Sequence, residues 1–198
     1  MKTFPRVLVA IASLSLILMF IFPLWSIHLD APQYPEGLGM KIHLNTMKGE
    51  SEHDIESINN LNHYIGMKRI EPDAIPELKF MPYIIGVMIG LGLIVSLVGK
   101  KWLLIVWLVI FSALGIAGMV DFYNWEYDYG HNLDKHAIIK IEGMDYQPPL
   151  VGTKQLLNFS AHSMPDIGGY CAVFAVGLGM VALFIKSKKN TISITKGA

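Results

Sequence analysis

All seven histidines, His28, His43, His53, His63, His131, His136 and His162, fall in two polar stretches, residues 26–80 and 121–167, together with Met40, Met47, Met67, Met144 and Met164. Imidazole and thioether are side chains that copper accepts, the softer thioether favouring Cu(I), and neither needs a thiol beside it in an oxidising compartment. The spacing adds to this. His43 and Met47, like His63 and Met67, are four residues apart and would share one face of a helix; on a strand His43 and Met47 would still fall on one side. His162-Ser163-Met164 is a third pairing. The candidate ligands are therefore His63, Met67, His162 and Met164, with His28 and His43 behind them. Asn62 and Tyr64 flank His63 and would orient it by hydrogen bonds. The competing reading of the same residues is hydrogen-bonded structural histidine and core methionine.

Position along the chain suggests a second grouping. His28 and Asp30 follow the first apolar block, Asp121 closes the third, and His162, Met164 and Asp166 lead into the fourth. In a compact bundle these ends converge on one rim. Helix capping by Asp166, just ahead of Gly168, is the alternative use of that carboxylate. Other chemistries find less material. Cys171 is the single cysteine, inside an apolar block without a basic neighbour, so it reads as packing rather than a reactive thiolate. Gly37-Leu38-Gly39 is not followed by a phosphate- or dinucleotide-binding pattern.

The elements that must position these groups follow from composition. The chain has 198 residues, 53% hydrophobic and 16% charged, against roughly 25% charge in an ordinary soluble domain. Four blocks without a charged side chain, Val7 to Trp25, Met81 to Val98, Trp102 to Val120 and Gly168 to Ile185, approach the ~20 residues that cross hydrocarbon as a helix. The first block lacks a small-residue cleavage site, with Phe20, Phe22, Pro23, Leu24 and Trp25 at its end, and reads as an uncleaved anchor. The expected fold is a four-transmembrane-helix bundle carrying a small mixed α/β domain built from the two long loops. The expected segments are 1–25, 26–80, 81–120, 121–167 and 168–198.

Charge orients the bundle. Lys2, Arg6, Lys100, Lys101, Lys186, Lys188, Lys189 and Lys196 lie outside the two long loops, and all 16 acids lie within them. Lys and Arg near span ends stay on the cytoplasmic side, so both termini are expected inside and both long loops outside. With 16 basic residues cancelling 16 acidic ones, nucleic acid is not an expected partner. A charge at a span centre costs about 3 kcal/mol on insertion scales and marks ion or proton pathways. These spans have no charge, and no histidine for a haem. They offer small residues for close helix approach instead: Gly86 and Gly90, Ala113 and Ala117, Ala175 and Gly179.

Within the loops, Met40 to Asn45 alternates at period two and reads as a strand ended by Gly49. Ser51 and Asp54 resemble a capping box, and Ile55, Ile58, Leu61 and Ile65 follow at helical spacing, predicting a helix over 52–65 that stops at Gly66. Pro72, Pro76 and Pro82 predict an extended return to the membrane. Ala137 to Ile141 reads as a strand and Lys154 to Phe159 as a short helix lying on the membrane surface. The run Asp121 to Tyr129 is unusually aromatic, and Trp125 and Tyr127 are candidate docking residues. Loops this short rarely make a stable core alone, so the two are expected to pack together around a small mixed sheet.

Tyr34-Pro35-Glu36-Gly37-Leu38-Gly39-Met40, Ile58-Asn59-Asn60-Leu61-Asn62-His63-Tyr64-Ile65-Gly66-Met67-Lys68 and Ala161-His162-Ser163-Met164-Pro165-Asp166 resemble a family of small four-span bacterial membrane proteins encoded beside nitrous-oxide reductase. The resemblance implies a bacterial inner-membrane protein that matures, supplies copper to, or passes electrons toward a periplasmic copper enzyme. It assigns no residue a role. The expectation is a non-enzymatic accessory factor with copper as ligand and the copper enzyme or its maturation factors as partner. A metal-free scaffold of a respiratory complex and a quinol-reactive membrane subunit are the alternatives.

Overall fold

A computed structural model describes residues 1–139, 141, 143–156 and 158–185. Among them are five helices, four of which are long and apolar enough to cross a membrane, and one five-stranded sheet. The order is α1 (Thr3–Ser15), β1 (Trp25–Ala31), β2 (Tyr34–Ile42), β3 (Met47–Gly49), α2 (Asp54–Ile65), α3 (Glu77–Val98), α4 (Lys101–His131), β4 (Gly152–Leu156), β5 (Phe159–Pro165) and α5 (Ile167–Phe184).

Three span ends differ from the hydropathy blocks. The first span tightens into a 3₁₀ segment at Leu16–Phe20 and stops there, and Trp25 already begins a strand. Pro23 accounts for this, since it has no N–H to donate and disfavours helix at Phe22 before it. At α3, Pro82 is taken into the helix rather than the extended approach, which is a 3₁₀ turn at Pro72–Ala74 followed by Pro76 at the N-cap. The fourth helix runs on to His131, and its 31 residues span about 46 Å at 1.5 Å each, well beyond a ~30 Å hydrocarbon layer. Residues 122–131 of α4 accordingly pack against the sheet domain: Trp25 meets Phe122 edge to face at 5.6 Å, and Tyr146 N–H donates to the Gly130 carbonyl at 3.1 Å.

The bundle is centred on α1, which packs on α3 and α5 and buries Val9 and Ala12, with Leu16 of the following 3₁₀ segment. The small residues that allow close approach are not all those expected. Gly92 lies against Ser13 and Trp107, and Gly179 against Leu108, whereas Gly86 and Gly90 face open space. The Trp107 indole, buried in the bundle, donates to the Met88 carbonyl at 2.9 Å. At the end away from the sheet, Arg6 Nε donates to the Ser96 carbonyl at 2.8 Å. Its guanidinium thereby covers the last carbonyls of α3, where a cation is favoured.

The sheet is antiparallel throughout, in the order β3-β2-β1-β5-β4, rather than mixed. It joins the two long loops through β1 and β5. Lys154 to Leu156, expected as helix, are strand β4 paired with β5, because the helix-like local spacing yields to the ladder of bonds on offer. Ala137 to Ile139, expected as strand, have no strand partner, and Lys140 lies outside the described residues, as do the lysines of the C-terminal tail. The alternation at Met40 belongs to a longer strand that starts at Tyr34 and ends at Ile42, where a turn closed by His43 N–H to the Thr46 carbonyl leads into β3. Gly49, expected to end the strand, is itself the last residue of β3. One sheet face buries Ile27, Leu38, Met40, Ile42 and Met47 against Ile58 of α2, with Trp125 and Tyr129 of α4 packed on the same cluster. Helix α2 starts at Asp54, two residues later than expected, and Asp54 Oδ2 accepts from Ser51 N–H at 2.9 Å, as the capping-box spacing requires. It stops at Gly66, whose φ of 82° favours glycine.

Candidate functional site

The other face of the sheet collects polar side chains by strand alternation. Ser26, His28 and Asp30 of β1 stand opposite Met164, His162 and Ser160 of β5. His28 faces His162 directly in this register, and Gly39 faces His28 from β2. Asp30 serves both rings: its carboxylate lies 2.9 Å from His162 Nε2 and 3.4 Å from His28 Nε2. The free sides of the rings are also engaged. His162 Nδ1 is 2.7 Å from Thr153 Oγ1, and His28 Nδ1 is 3.6 Å from Glu50, which Lys41 pairs at 3.4 Å. The result is a chain of polar groups across four strands, half exposed, from Lys41 through Glu50, His28, Asp30 and His162 to Thr153.

Glycine makes room for it. A Cβ on Gly37 would collide with the His28 ring and one on Gly39 with Glu50, and Gly37 has φ of +75°. Tyr34 to Met40 thus read as a strand whose glycines admit larger neighbours. Two imidazoles flanking one carboxylate can bind a cation that prefers nitrogen, or can share a proton. Met164 is one step along β5 on the same face, opposite Ser26, and 44% exposed. Among the described residues, no group of three or more His, Cys, Asp or Glu side chains is arranged to hold a metal ion.

The remaining sequence-derived candidates lie elsewhere. His63 is exposed on α2, edge to face with Tyr64 at 6.1 Å. Met67 follows the helix-ending Gly66, so it does not continue the helical face that spacing gave it, and it lines a cavity on the opposite side of the sheet. Asn62 donates to the Lys68 carbonyl at 3.2 Å, and Asn59 bonds both the N–H and the carbonyl of Ile70, so these amides tie down the segment after α2. His43 lies in the β2–β3 turn while Met47 is buried, pairing with Ile42. Burial and the nearby Lys48 hold the His43 pKa below its usual value, partly offset by Asp166. Asp166 caps α5 through a 2.6 Å bond from Ile167 N–H. The aromatic run of α4 divides by helical spacing: Trp125 stacks between Phe122 and Tyr129 on the packed side, while Tyr127 is half exposed and stacks on His131 at 3.9 Å.

Sequence spacing did not single out Glu126. It stands on the packed face of α4, 1% exposed, and neither carboxylate oxygen has a hydrogen-bond partner among the described residues. This part of α4 has left the apolar span and lies against the sheet domain, and burial alone pushes the Glu126 pKa up to about 8. Phe122, Trp125, Glu126 and Tyr129 recur at helical spacing, so extending the span as helix past Val120 would have placed the acid inward. Comparison of the chain with protein-family models, characterised proteins and solved structures finds no match.

Proposed function

We propose that this chain is an accessory factor anchored in a bacterial inner membrane, with its sheet domain on the periplasmic side, holding copper transiently for a periplasmic copper enzyme of the nitrous-oxide reductase type or for that enzyme's maturation factors. The observation that carries the reading is the opposition of His28 and His162 across β1 and β5 with Asp30 between them. Copper is cargo here. The two imidazoles would bind it, Met164 would supply a soft ligand for the cuprous state, and Asp30 would hold the rings in place as the ion enters. An open site of this kind suits transfer to a partner better than storage, because coordination positions stay free.

The orientation rests on the positive-inside rule: Lys2, Arg6, Lys100 and Lys101 lie at the end of the bundle away from the sheet. The resemblance in Tyr34 to Met40, Ile58 to Lys68 and Ala161 to Asp166 supplies the copper enzyme as partner. The test is a Cu(I) titration of the purified chain in detergent against a competing chelator. Stoichiometric binding that is lost in His28→Ala/His162→Ala and kept in His63→Ala/Met67→Ala is the expected result. Equal binding by the native chain and the His28/His162 variant would sink it.

A metal-free scaffold is favoured by a different observation, the outward row Tyr123, Tyr127 and His131 on α4, in which Tyr127 stacks on His131 and lies tilted against Tyr123. In that reading Tyr127→Ala abolishes partner capture and copper has no effect.

A further inference from the structure

Behind the sheet, between its apolar face, α2 and the last turns of α4, lies a cavity of about 230 Å³. A dry apolar cavity of ~150 Å³ already holds benzene, so this one has room for a larger ring. Its walls are mostly apolar and aromatic, with Met40, Ile58, Met67 and Trp125 among them; Gln33, Asn62 and Asn158 also line it, and so do Glu126 and Tyr146. Both are almost fully buried, and neither the Glu126 oxygens nor the Tyr146 hydroxyl has a hydrogen-bond partner among the described residues. Its other titratable lining groups are phenols, Tyr64 from α2 and Tyr129 from α4; the sheet contributes none, and no Lys, Arg or His lines it among the described residues. Tyr129 is spoken for, donating to the Arg69 carbonyl at 3.0 Å.

Buried polar groups are ordinarily paired, and an orphaned one calls for an explanation. With no cation among the described residues of the wall, burial keeps Glu126 as the neutral acid, so the cavity presents two unused O–H donors within a mostly apolar, aromatic lining. The complement is a flat uncharged ring bearing carbonyl acceptors. We propose that this cavity binds the ring of a quinone, with Glu126 and Tyr146 donating to its carbonyl oxygens and Trp125 packing on its body. The site is on the opposite side of the sheet from His28 and His162 and does not depend on copper.

The ring has two sources, a free quinone in the aqueous phase or the headgroup of an isoprenoid quinone from the bilayer. The probe is 2,3-dimethyl-1,4-naphthoquinone, which lacks a position for thiol addition, titrated into the full chain in detergent and followed by tryptophan quenching and equilibrium dialysis. Saturable binding is expected, weakening as pH rises and Glu126 loses its proton. Glu126→Gln keeps a donor and should bind comparably with no such pH dependence; Glu126→Leu should bind about tenfold more weakly or worse, and Tyr146→Phe about fivefold. Both Glu126 variants remove a buried unpaired acid, so both should fold. Displacement of the probe by a long-tailed naphthoquinone in nanodiscs identifies the bilayer as the source, and failure to displace identifies the free ring. No saturable binding, equal binding by Glu126→Leu, or loss of binding in Glu126→Gln each overturns the proposal, the last because it would require a carboxylate and hence a cationic ligand.

Discussion

His28 and His162 are 134 residues apart in sequence and directly opposite one another on neighbouring antiparallel strands, with Asp30 in contact with both rings. Side chains so placed have Cβ atoms about 5 Å apart, close enough for both rings to reach one ion. Every group in the row is half exposed, so as ion pairs these contacts add at most about 1 kcal/mol each to stability. The row is thus inexpensive to disrupt and informative when disrupted.

Asp30→Asn tests the carboxylate's part. The amide keeps the shape and loses the charge that orients the two imidazoles. Copper affinity should fall about tenfold, the scale of losing a group that orients a ligand, with the melting temperature unchanged within error. A Cu(I) titration beside a thermal melt reads both, and unchanged affinity would separate Asp30 from the site.

Gly37→Ala should damage the same site from below. Its φ of +75° places the residue where a side chain is strained, and the new Cβ would strike the His28 ring. The backbone strain costs about 1–2 kcal/mol, and the ring must rotate away from Asp30 and His162. Lower stability together with weakened copper binding is expected. A variant that melts early and binds normally would show that the ring position does not matter.

The four long apolar helices were legible because the length and polarity that crossing hydrocarbon requires are read directly by hydropathy. Helix α2 was legible for the same kind of reason, Ser51 and Asp54 at one end and Gly66 at the other being local signals. What escaped is non-local. Lys154 to Phe159 follow a helical pattern, yet β5 provides a partner for Lys154 to Leu156, and Phe159 itself opens β5. The pairing of His28 with His162 depends on the β1–β5 register, and a slip of one residue would turn one ring to the opposite face. His63 and Met67 do not share a helical face, because Gly66, itself foreseen as a stop, ends the helix between them. Glu126 was hidden by ending the third span at Val120, where the hydropathy falls but the helix does not.

Gly92→Ala should destabilise the bundle where Gly90→Ala should not. A Cβ at Gly92 would collide with Ser13 and come within 3.0 Å of Trp107 Nε1, while Gly90 has nothing within 4 Å. Overpacking a close helix contact costs about 1–3 kcal/mol, and Gly90→Ala gains helix propensity at no steric cost. Thermal denaturation in detergent should lower the midpoint for the first and leave or raise it for the second. The reverse order would mean that α1 and α3 do not meet at Gly92.

Asp166→Ala removes the side-chain cap of α5, which accepts from Ile167 N–H. Loss of such a cap costs about 1 kcal/mol. The same carboxylate raises the His43 pKa against the pull of burial and Lys48, so the variant should titrate His43 at lower pH. An NMR titration of the His43 ring reads this shift, and an unchanged titration would mean that Asp166 and His43 do not interact.

Glu126 makes the stability of the sheet domain depend on pH in a defined direction. Its carboxyl is pushed up to about 8 in the folded chain from an ordinary 4.5, because it is buried without a partner. Below the ordinary value the acid is protonated in both states and contributes no pH dependence. Between the two values the unfolded chain releases a proton that the folded chain retains, so the unfolded state binds fewer protons and stability falls as pH rises. The slope is about 1.4 kcal/mol per pH unit at most, and it flattens once the folded carboxyl also ionises. Glu126→Gln removes the group from the balance. The native chain and the variant should therefore melt together near pH 5 and diverge toward pH 8, with the variant the more stable, and a difference independent of pH would show that Glu126 is paired or solvated in the folded protein.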